Sequence, residues 1–350
     1  MDEHAEAPVV AARGHRGARR ILTAGGKDDP RALRGSLTNP TSTDGGGGPI
    51  SGTGPPISVV VASNRERSLL EGCLASLRSQ CARTGAELIV VRAAVGPASE
   101  LAELRRSMPD VHFVEATANA TIPELRGAGM SRASGSAVAT TEDHCVAGAG
   151  WLDALLVRLR GGAAVVGGGM GNAQRRRAVD WGAYFSEYGF FAETRRGPQH
   201  GARLLLTGAN VAYTREVARD VAAWACDGEW ENVLHGRLAA RGVAMEFAPD
   251  AVVYQNKNYR FMAFCVDRYE HGRDFARKRL AETPGTPRWA LAGASALLPA
   301  LLTWRVARAA APGRWLTFLR ALPATFAFLT AWSVGEAIGY ARGASARDGL

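Results

Sequence analysis

Two carboxylates and one imidazole stand side by side at Glu142, Asp143 and His144. Carboxylate oxygens and imidazole nitrogens are common ligands of divalent cations. The three residues follow an apolar stretch at 137–140 that is predicted to be a β-strand, and a predicted helix at 123–134 comes before that strand. The pattern indicates either a metal or metal–phosphate site, or a capped strand end in which Asp143 starts a turn and His144 is solvated.

The position of this cluster at the end of a strand helps to decide between a metal site and a capped strand end. Open α/β sheets bind ligands beyond the carboxyl ends of their strands. Because side chains alternate along a strand, Glu142 and His144 are expected to point to one side and Asp143 to the other. Without further context, the three residues favour the capped strand end, since short acidic clusters are common where loops begin.

Predicted strands and helices alternate around the cluster. A continuous β-branched run at 56–65 predicts a buried parallel strand, and leucines at helical spacing follow it. The other predicted elements are strands at 87–91 and 111–114, a helix at 98–108, a strand at 163–168 leading into a glycine turn at 167–169, strands at 243–247 and 251–254, and a basic amphipathic helix at 259–279. This βαβ series predicts an α/β fold with a doubly wound, Rossmann-like mixed sheet.

Composition restricts the class of protein. With 350 residues and 47% hydrophobic content, the chain is long enough for one large α/β domain with appendages. The formal charge of +9 favours an anionic partner, either a nucleotide diphosphate, a nucleic acid or an acidic lipid. The arginines are spread along the chain without interleaved aromatics, which argues against nucleic acid. The five cysteines lack zinc-site spacing, and their odd number fits a reducing compartment.

The two ends of the chain differ from its centre. Residues 1–55 are rich in glycine, proline and arginine, so we predict a disordered tail without a secretory signal. At 286–350 we predict hydrophobic helices that lie in the cytoplasmic membrane interface or re-enter it, because the uncharged segment 289–304 is shorter than the ~20 residues of a spanning helix. Four tryptophans are the predicted interfacial anchors: Trp289, Trp304, Trp315 and Trp332. A soluble core role is disfavoured, since no further domain is predicted that could cover these aromatics.

The surroundings of the cluster resemble a known family. The matching residues are Leu125-Arg126-Gly127-Ala128-Gly129 in the first helix, Ala133-Ser134-Gly135 at the turn, Glu142-Asp143-His144 in the acidic motif and Gly150-Trp151-Leu152 at the next helix start. This region resembles the family 2 glycosyltransferases of the GT-A fold, which implies a GT-A domain at 56–285. In that family the acidic motif holds a divalent metal against the diphosphate of a nucleotide sugar. The resemblance implies Glu142 and His144 as metal ligands, and the imidazole favours Mn²⁺ over Mg²⁺.

The resemblance also implies roles for residues outside the motif. The implied contacts to the donor nucleotide or sugar come from Asn64, Arg65, Arg126, Asp143 and Asn210, and Arg126 would help to neutralise the departing diphosphate. Glu231 stands at the position of the general base, with Glu229 as the alternative if the register slips.

Three positions depart from the family pattern. The carboxylate expected after Val91 is missing, Trp230 stands where a glutamate is usual, and Gln255 replaces a histidine.

The function implied by the resemblance is that of an inverting, hexosyltransferase-type glycosyltransferase. We expect transfer from a nucleotide-sugar donor to a glycan or lipid-linked acceptor in polysaccharide or glycolipid synthesis, at the cytoplasmic face of the cell membrane and without a nucleic acid partner. The departures from the family pattern leave a catalytically degenerate binding or scaffold protein as the alternative. Nucleotidyl transfer is a remote third hypothesis, because residues 62–65 lack the glycine-rich phosphate loop that it requires.

Overall fold

An eight-stranded mixed sheet forms the centre of the protein. The structure is a computed structural model that describes residues 54–97, 99–194, 201, 204–282, 285 and 287–343. The strands are β1 (Ser58–Ser63), β2 (Glu87–Ala93), β3 (His112–Ala116), β4 (Ala137–Glu142), β5 (Cys145–Ala147), β6 (Val165–Asn172), β7 (Val211–Thr214) and β8 (Met245–Gln255). Their order in the sheet is β3-β2-β1-β4-β7-β6-β8-β5. The predicted disordered tail at 1–55 lies outside the described residues except for its last two.

The first half of the sheet is parallel and carries helices between its strands. β3, β2, β1 and β4 pair in parallel register. The intervening helices are α1 (Arg67–Thr84), α2 (Glu100–Ser107) and α3 (Ile122–Arg132), and α4 (Trp151–Arg160) follows β5. Every residue of β1 is buried, which agrees with its continuous apolar sequence, because helices cover both faces of such a strand. The predicted α/β fold is confirmed.

The helix α3 has strong start signals in its sequence. The hydroxyl of Thr121 accepts a hydrogen bond from the backbone N–H of Glu124, whose carboxylate in turn accepts from the backbone N–H of Thr121. Pro123 lies in the first turn, where its missing N–H has no partner to lose. This capping box fixes the start of the helix that carries Arg126.

The second half of the sheet corrects two predictions. The glycines at 167–169 lie inside β6 and do not form a turn. A Cβ atom at Gly168 would lie 1.8 Å from the carbonyl oxygen of Ala251, so glycine is needed there for close approach of a neighbouring strand. The predicted strands at 243–247 and 251–254 are a single strand, β8. Its pairing with β6 shifts register between Ala248 and Val253, so that residues 249–252 lie opposite Gly169 alone.

The remaining helices cover the sheet and continue beyond it. They are α5 (Ala178–Tyr188), α6 (Arg215–Cys226), α7 (Glu231–Ala240), α8 (Phe261–Glu282), α9 (Arg288–Ala294), α10 (Leu298–Ala310) and α11 (Trp315–Arg342). The sequence patterns predict neither α5 nor α6.

The last helix, α11, packs against α5 and α8. Glycines allow the close approach: a Cβ atom at Gly335 would lie 2.0 Å from the carbonyl oxygen of Tyr269, and one at Gly272 would lie 2.1 Å from that of Trp332. Phe328 is fully buried in this contact. The expectation that no element would cover the C-terminal aromatics is therefore wrong for Trp332, which packs against Phe275 and Arg268 of α8, whereas Trp315 of the same helix is 52% exposed.

Within the described part of the chain, two helical segments could cross a membrane by length and composition, Arg288–Ala310 and Trp315–Arg342. The first is mostly exposed, whereas nearly half of the apolar part of the second is buried inside the protein. Packing inside the protein thus accounts for much of the apolar composition of α11. The segment of α9 and α10 is the better candidate for contact with a membrane surface.

The contact between α8 and α11 can be tested with a pair of glycine variants. We expect Gly335→Ala to lower the free energy of unfolding by about 1–3 kcal/mol, because the new methyl group meets a backbone carbonyl that cannot move alone. Gly293→Ala is the matched control, since a Cβ atom at that helical position meets open space and alanine is the better helix former. Equal melting midpoints of the two variants, followed by circular dichroism, would contradict the packing.

Candidate functional site

The site lies where β4 ends beside β1. One carboxylate oxygen of Asp143 accepts three hydrogen bonds, from the hydroxyl of Ser63 at 3.0 Å and from the backbone N–H groups of Asn64 at 2.9 Å and Arg65 at 2.8 Å. Burial alone would raise the pKa of Asp143, but these bonds and the neighbouring His144 outweigh it, and the pKa is lowered. Asp143 therefore stays ionised and fixes the loop that follows β1.

That loop presents two of the residues predicted to contact the donor. The side-chain oxygen of Asn64 is buried and has no hydrogen-bond partner among the described residues, which leaves an acceptor for a ligand hydroxyl. The Arg65 side chain is half-buried. Burial would lower the pKa of Arg65, but the charges of Glu142 and Glu187 raise it above its ordinary value.

The Arg126 guanidinium forms the centre of the site by joining two carboxylates. Its Nη2 donates a short hydrogen bond to Glu142, and its Nη1 donates to Glu231 at 3.1 Å. Only 7% of the Arg126 side chain is exposed. Gly208 makes room for it, because a Cβ atom there would lie 2.1 Å from Nη1. The structure thus connects the predicted metal carboxylate to the predicted base through one buried cation.

Glu231 begins α7 and remains charged at neutral pH. Burial alone would raise its pKa, but the Arg126 guanidinium and a backbone N–H of its own residue outweigh burial, so the pKa is lowered. Glu229, the alternative base, instead forms an ion pair with Arg237 at 2.5 Å. Of the two carboxylates, Glu231 is the one that the structure joins to the acidic motif.

His144 is buried between carboxylates on one side and a tyrosine on the other. Its Nδ1 lies 3.6 Å from Glu142 Oε2 and 3.7 Å from Asp143 Oδ1, while its Nε2 lies 3.1 Å from the hydroxyl of Tyr188. Burial would lower the pKa of His144, but the neighbouring Cys145, Asp143 and Glu142 raise it well above its ordinary value. The solvated position that the capped strand end would give His144 is not what the structure shows.

Tyr188 is a site residue that the sequence patterns did not indicate. It lies at the end of α5, a helix that no sequence pattern indicates, and it is separated from His144 by 44 residues. When the imidazole is neutral, as a metal ligand must be, the Tyr188 hydroxyl can accept a hydrogen bond from Nε2–H, which would leave the lone pair of Nδ1 directed at the carboxylates. Such an outer partner commonly fixes the tautomer of a histidine that ligates a metal.

The possible metal ligands at the end of β4 supply part of the coordination of a divalent metal. Among the residues that the structure describes, no group of three or more His, Cys, Asp or Glu side chains is arranged to hold a metal ion by itself. Two donors that each lie about 2.1 Å from one ion can be no more than about 4.2 Å apart. The 3.6 Å between His144 Nδ1 and Glu142 Oε2 meets this limit. The buried Asp143 Oδ1, which has no hydrogen-bond partner, is directed at the same nitrogen. These residues fit an ion whose other ligands come from a substrate.

The end of β2 carries a cation where the family pattern has a carboxylate. Buried Arg92 pairs with Glu100 of α2 at 2.7 Å and donates to the hydroxyl of Ser63 at 2.7 Å. The same hydroxyl donates to Asp143, so a continuous polar chain runs from α2 to the acidic motif. A carboxylate is therefore present at this edge, supplied by Glu100 eight residues after Arg92.

The side chains of Asn210 and Gln255 form hydrogen bonds inside the protein. The side-chain oxygen of Asn210 accepts from the indole of Trp151 at 2.8 Å, and its amide group donates to the carbonyls of Gly169 and Ala251. This leaves Asn210 no free N–H for the hydroxyl contact predicted from its sequence. Gln255 is likewise fully buried and hydrogen-bonded within the protein. Both residues hold neighbouring strands in place.

Residues 58–222 match the family model for glycosyl transferase family 2. A search of curated protein sequences finds no match. Among solved structures, the mannosyltransferase PcManGT from Pyrobaculum calidifontis, in complex with GDP-Man and Mn²⁺, has a TM-score of 0.51 at 19% identity, covering 83% of this chain and 89% of its own. TarS 1-349 from S. aureus, in complex with UDP-GlcNAc, has a TM-score of 0.45 at 17% identity, covering 64% and 66%. The first of these confirms the predicted GT-A fold.

Proposed function

We propose that the protein, whose residues 58–222 match the family model for glycosyl transferase family 2, transfers a hexosyl group, with inversion, from a nucleotide-sugar donor to an acceptor hydroxyl. The family supports glycosyl transfer itself. The finer proposal depends on one observation: a metal-ligand pair and an ionised carboxylate meet at the end of β4 through the shared guanidinium of Arg126.

The proposed metal ligands lie at one end of this guanidinium and the proposed base lies at the other. Glu142 and His144 would hold a divalent cation, which when bound supplies Lewis-acid stabilisation for the charge on the leaving diphosphate. Glu231 accepts the proton of the acceptor hydroxyl while the hydroxyl oxygen attacks the anomeric carbon and the bond from that carbon to the diphosphate breaks. Arg126 keeps Glu231 ionised and holds it in a fixed relation to Glu142.

Manganese is the proposed metal. An imidazole beside a carboxylate suits Mn²⁺ better than Mg²⁺, which prefers oxygen ligands alone. The Pyrobaculum mannosyltransferase was solved with Mn²⁺ and GDP-Man, which makes guanosine diphosphate the first probe of the donor site.

The proposed place of the reaction is the cytoplasmic face of a membrane, with a glycan or lipid-linked acceptor. The α9–α10 segment exposes large apolar side chains, among them Trp289 at 64%, Leu297 at 73% and Trp304 at 55% exposure. Arg305 and Arg308 are exposed on the same segment. Tryptophans with neighbouring arginines are typical of a surface that lies in the headgroup region of an anionic membrane.

A second candidate function is donor binding without transfer, in a degenerate enzyme. It is favoured by the double ion pair of Arg126, which occupies an oxygen of each carboxylate that the reaction needs. Metal-dependent nucleotide binding with no sugar transfer to any acceptor, water included, would identify this function.

The base assignment is tested with Glu231→Gln. We expect a fall in turnover of about 10²–10⁴-fold with donor affinity nearly unchanged, because the amide keeps the shape of the carboxylate but accepts no proton. Glu229→Gln is the matched control and should keep turnover, since Glu229 pairs with Arg237. Turnover can be followed as release of nucleoside diphosphate from GDP-mannose and UDP-N-acetylglucosamine. If Glu231→Gln turns over like the wild type, the assignment is wrong.

The membrane surface is tested by sedimentation with vesicles of phosphatidylglycerol and phosphatidylcholine. We expect Leu297→Asp to reduce the bound fraction several-fold, because an exposed apolar anchor becomes an anion facing an anionic surface. Val157→Asp on α4, where the valine is 63% exposed, is the matched control and should bind as the wild type does. Equal binding of both variants would show that α9 and α10 do not form the membrane surface.

A further inference from the structure

The segment after β8 lies directly against the acidic motif. In the β5–β8 ladder, Gln255 pairs with Cys145. The next backbone N–H, that of Asn256, donates to the carbonyl oxygen of His144 at 2.7 Å. Lys257 therefore leaves the sheet beside the proposed metal pair, and its position is set by hydrogen bonds of the main chain.

Arg65 reaches the motif from the opposite direction. Its backbone N–H is bound by Asp143, as is that of the preceding residue in the loop after β1. Arg65 and Lys257 are thus anchored on the two sides of residues 143–144, and both side chains are half-buried.

The two cations are close enough to affect each other. Burial lowers the pKa of Lys257, and the charge of Arg65 lowers it further, whereas Glu142 and Glu187 act in the opposite direction. The Lys257 ammonium lies 4.6 Å from the ring centroid of Tyr259. Tyr259 itself is fixed by hydrogen bonds from its hydroxyl to Glu187 and Gln255. The ring therefore packs against the lysine, and among the described residues no oxygen accepts a hydrogen bond from its ammonium group.

Neither cation has a carboxylate bound to its side chain within the part of the chain that the structure describes. Arg126 is the opposite case, since both of its Nη atoms already bind carboxylates. Two half-buried like charges repel each other, and the charges of Glu142 and Glu187 do not fully offset this repulsion and burial at Lys257, whose pKa is lowered. A diphosphate carries two adjacent anionic groups, and an arginine fork with a lysine point charge is a common way to bind phosphate oxygens.

We propose that Lys257, acting with Arg65, binds the diphosphate group of the donor, and that Arg126 serves as the positioning residue for the two carboxylates. This inference depends on the proposed function, because it supplies the binding residues for the leaving group of that same reaction. It adds a site residue two positions after Gln255, which stands where the family pattern has a histidine.

The test measures the affinity of the full chain for GDP, UDP and their monophosphates by calorimetry in the presence of Mn²⁺. Lys257→Met removes the charge but keeps the apolar stem over Tyr259, and Lys257→Arg keeps the charge. We expect Lys257→Met to weaken diphosphate binding about tenfold or more, equivalent to about 1.4 kcal/mol, and to weaken monophosphate binding less. Lys257→Arg should stay within about threefold of the wild type.

Arg260→Gln is the control for net charge, because it removes an exposed cation three residues away and should leave all affinities unchanged. If Lys257→Met binds diphosphates as tightly as the wild type, or loses mono- and diphosphates equally, the inference is overturned. If Lys257→Met does not fold, Lys257→Gln replaces it under the same criteria. Failure of the wild type to bind any of the four nucleotides would instead overturn the proposed function, so the two failures are distinguishable.

Discussion

The buried guanidinium of Arg126 is the interaction on which the site depends. An isolated charge this deep in the protein would be very unfavourable, and it is tolerated because Glu142 and Glu231 each bind one end of it. Removing one partner of such a buried pair typically costs about 3–5 kcal/mol, since the remaining charge is left uncompensated. The pairing therefore holds α3, β4 and α7 in one arrangement, and it does so at the point where a donor and an acceptor would meet.

The rest of the site is arranged around this constraint. Asp143 uses one oxygen to fix the loop after β1, and Tyr188 orients His144 from behind, so that Glu142 and His144 converge on one side of the guanidinium. Both ends of Arg126 are occupied by carboxylates, and the proposal therefore assigns the binding of a leaving diphosphate to Arg65 and Lys257, which lie beside the motif. The helices α8 and α11 support this region from outside, which makes the full chain the appropriate material for experiments.

Local patterns in the sequence predicted the parallel strands, the helices between them and the adjacency of Glu142 and His144, because each depends on residues only a few positions apart. Contacts across long separations were not predictable in this way. Arg126 and Glu231 are 105 residues apart, and no pattern near either one indicates the ion pair. The glycines of β6 were mistaken for a turn. Glycine is required there because β8 approaches closely, and that approach exists only in the assembled sheet. For Asn210 the sequence showed a polar residue but not the three hydrogen bonds that its side chain forms inside the protein.

The most direct test of the central claim is the melting midpoint of the full chain with Mn²⁺ and GDP or UDP, for the wild type, His144→Ala and the exposed control His112→Ala. A ligand at 100 times its Kd stabilises the folded state by about 2.7 kcal/mol, which shifts the midpoint measurably. We expect a nucleotide-induced shift of the melting midpoint that requires Mn²⁺, disappears in His144→Ala and persists in His112→Ala. No shift with either nucleotide, or the same shift in His144→Ala as in the wild type, would contradict a metal-dependent donor site at the end of β4.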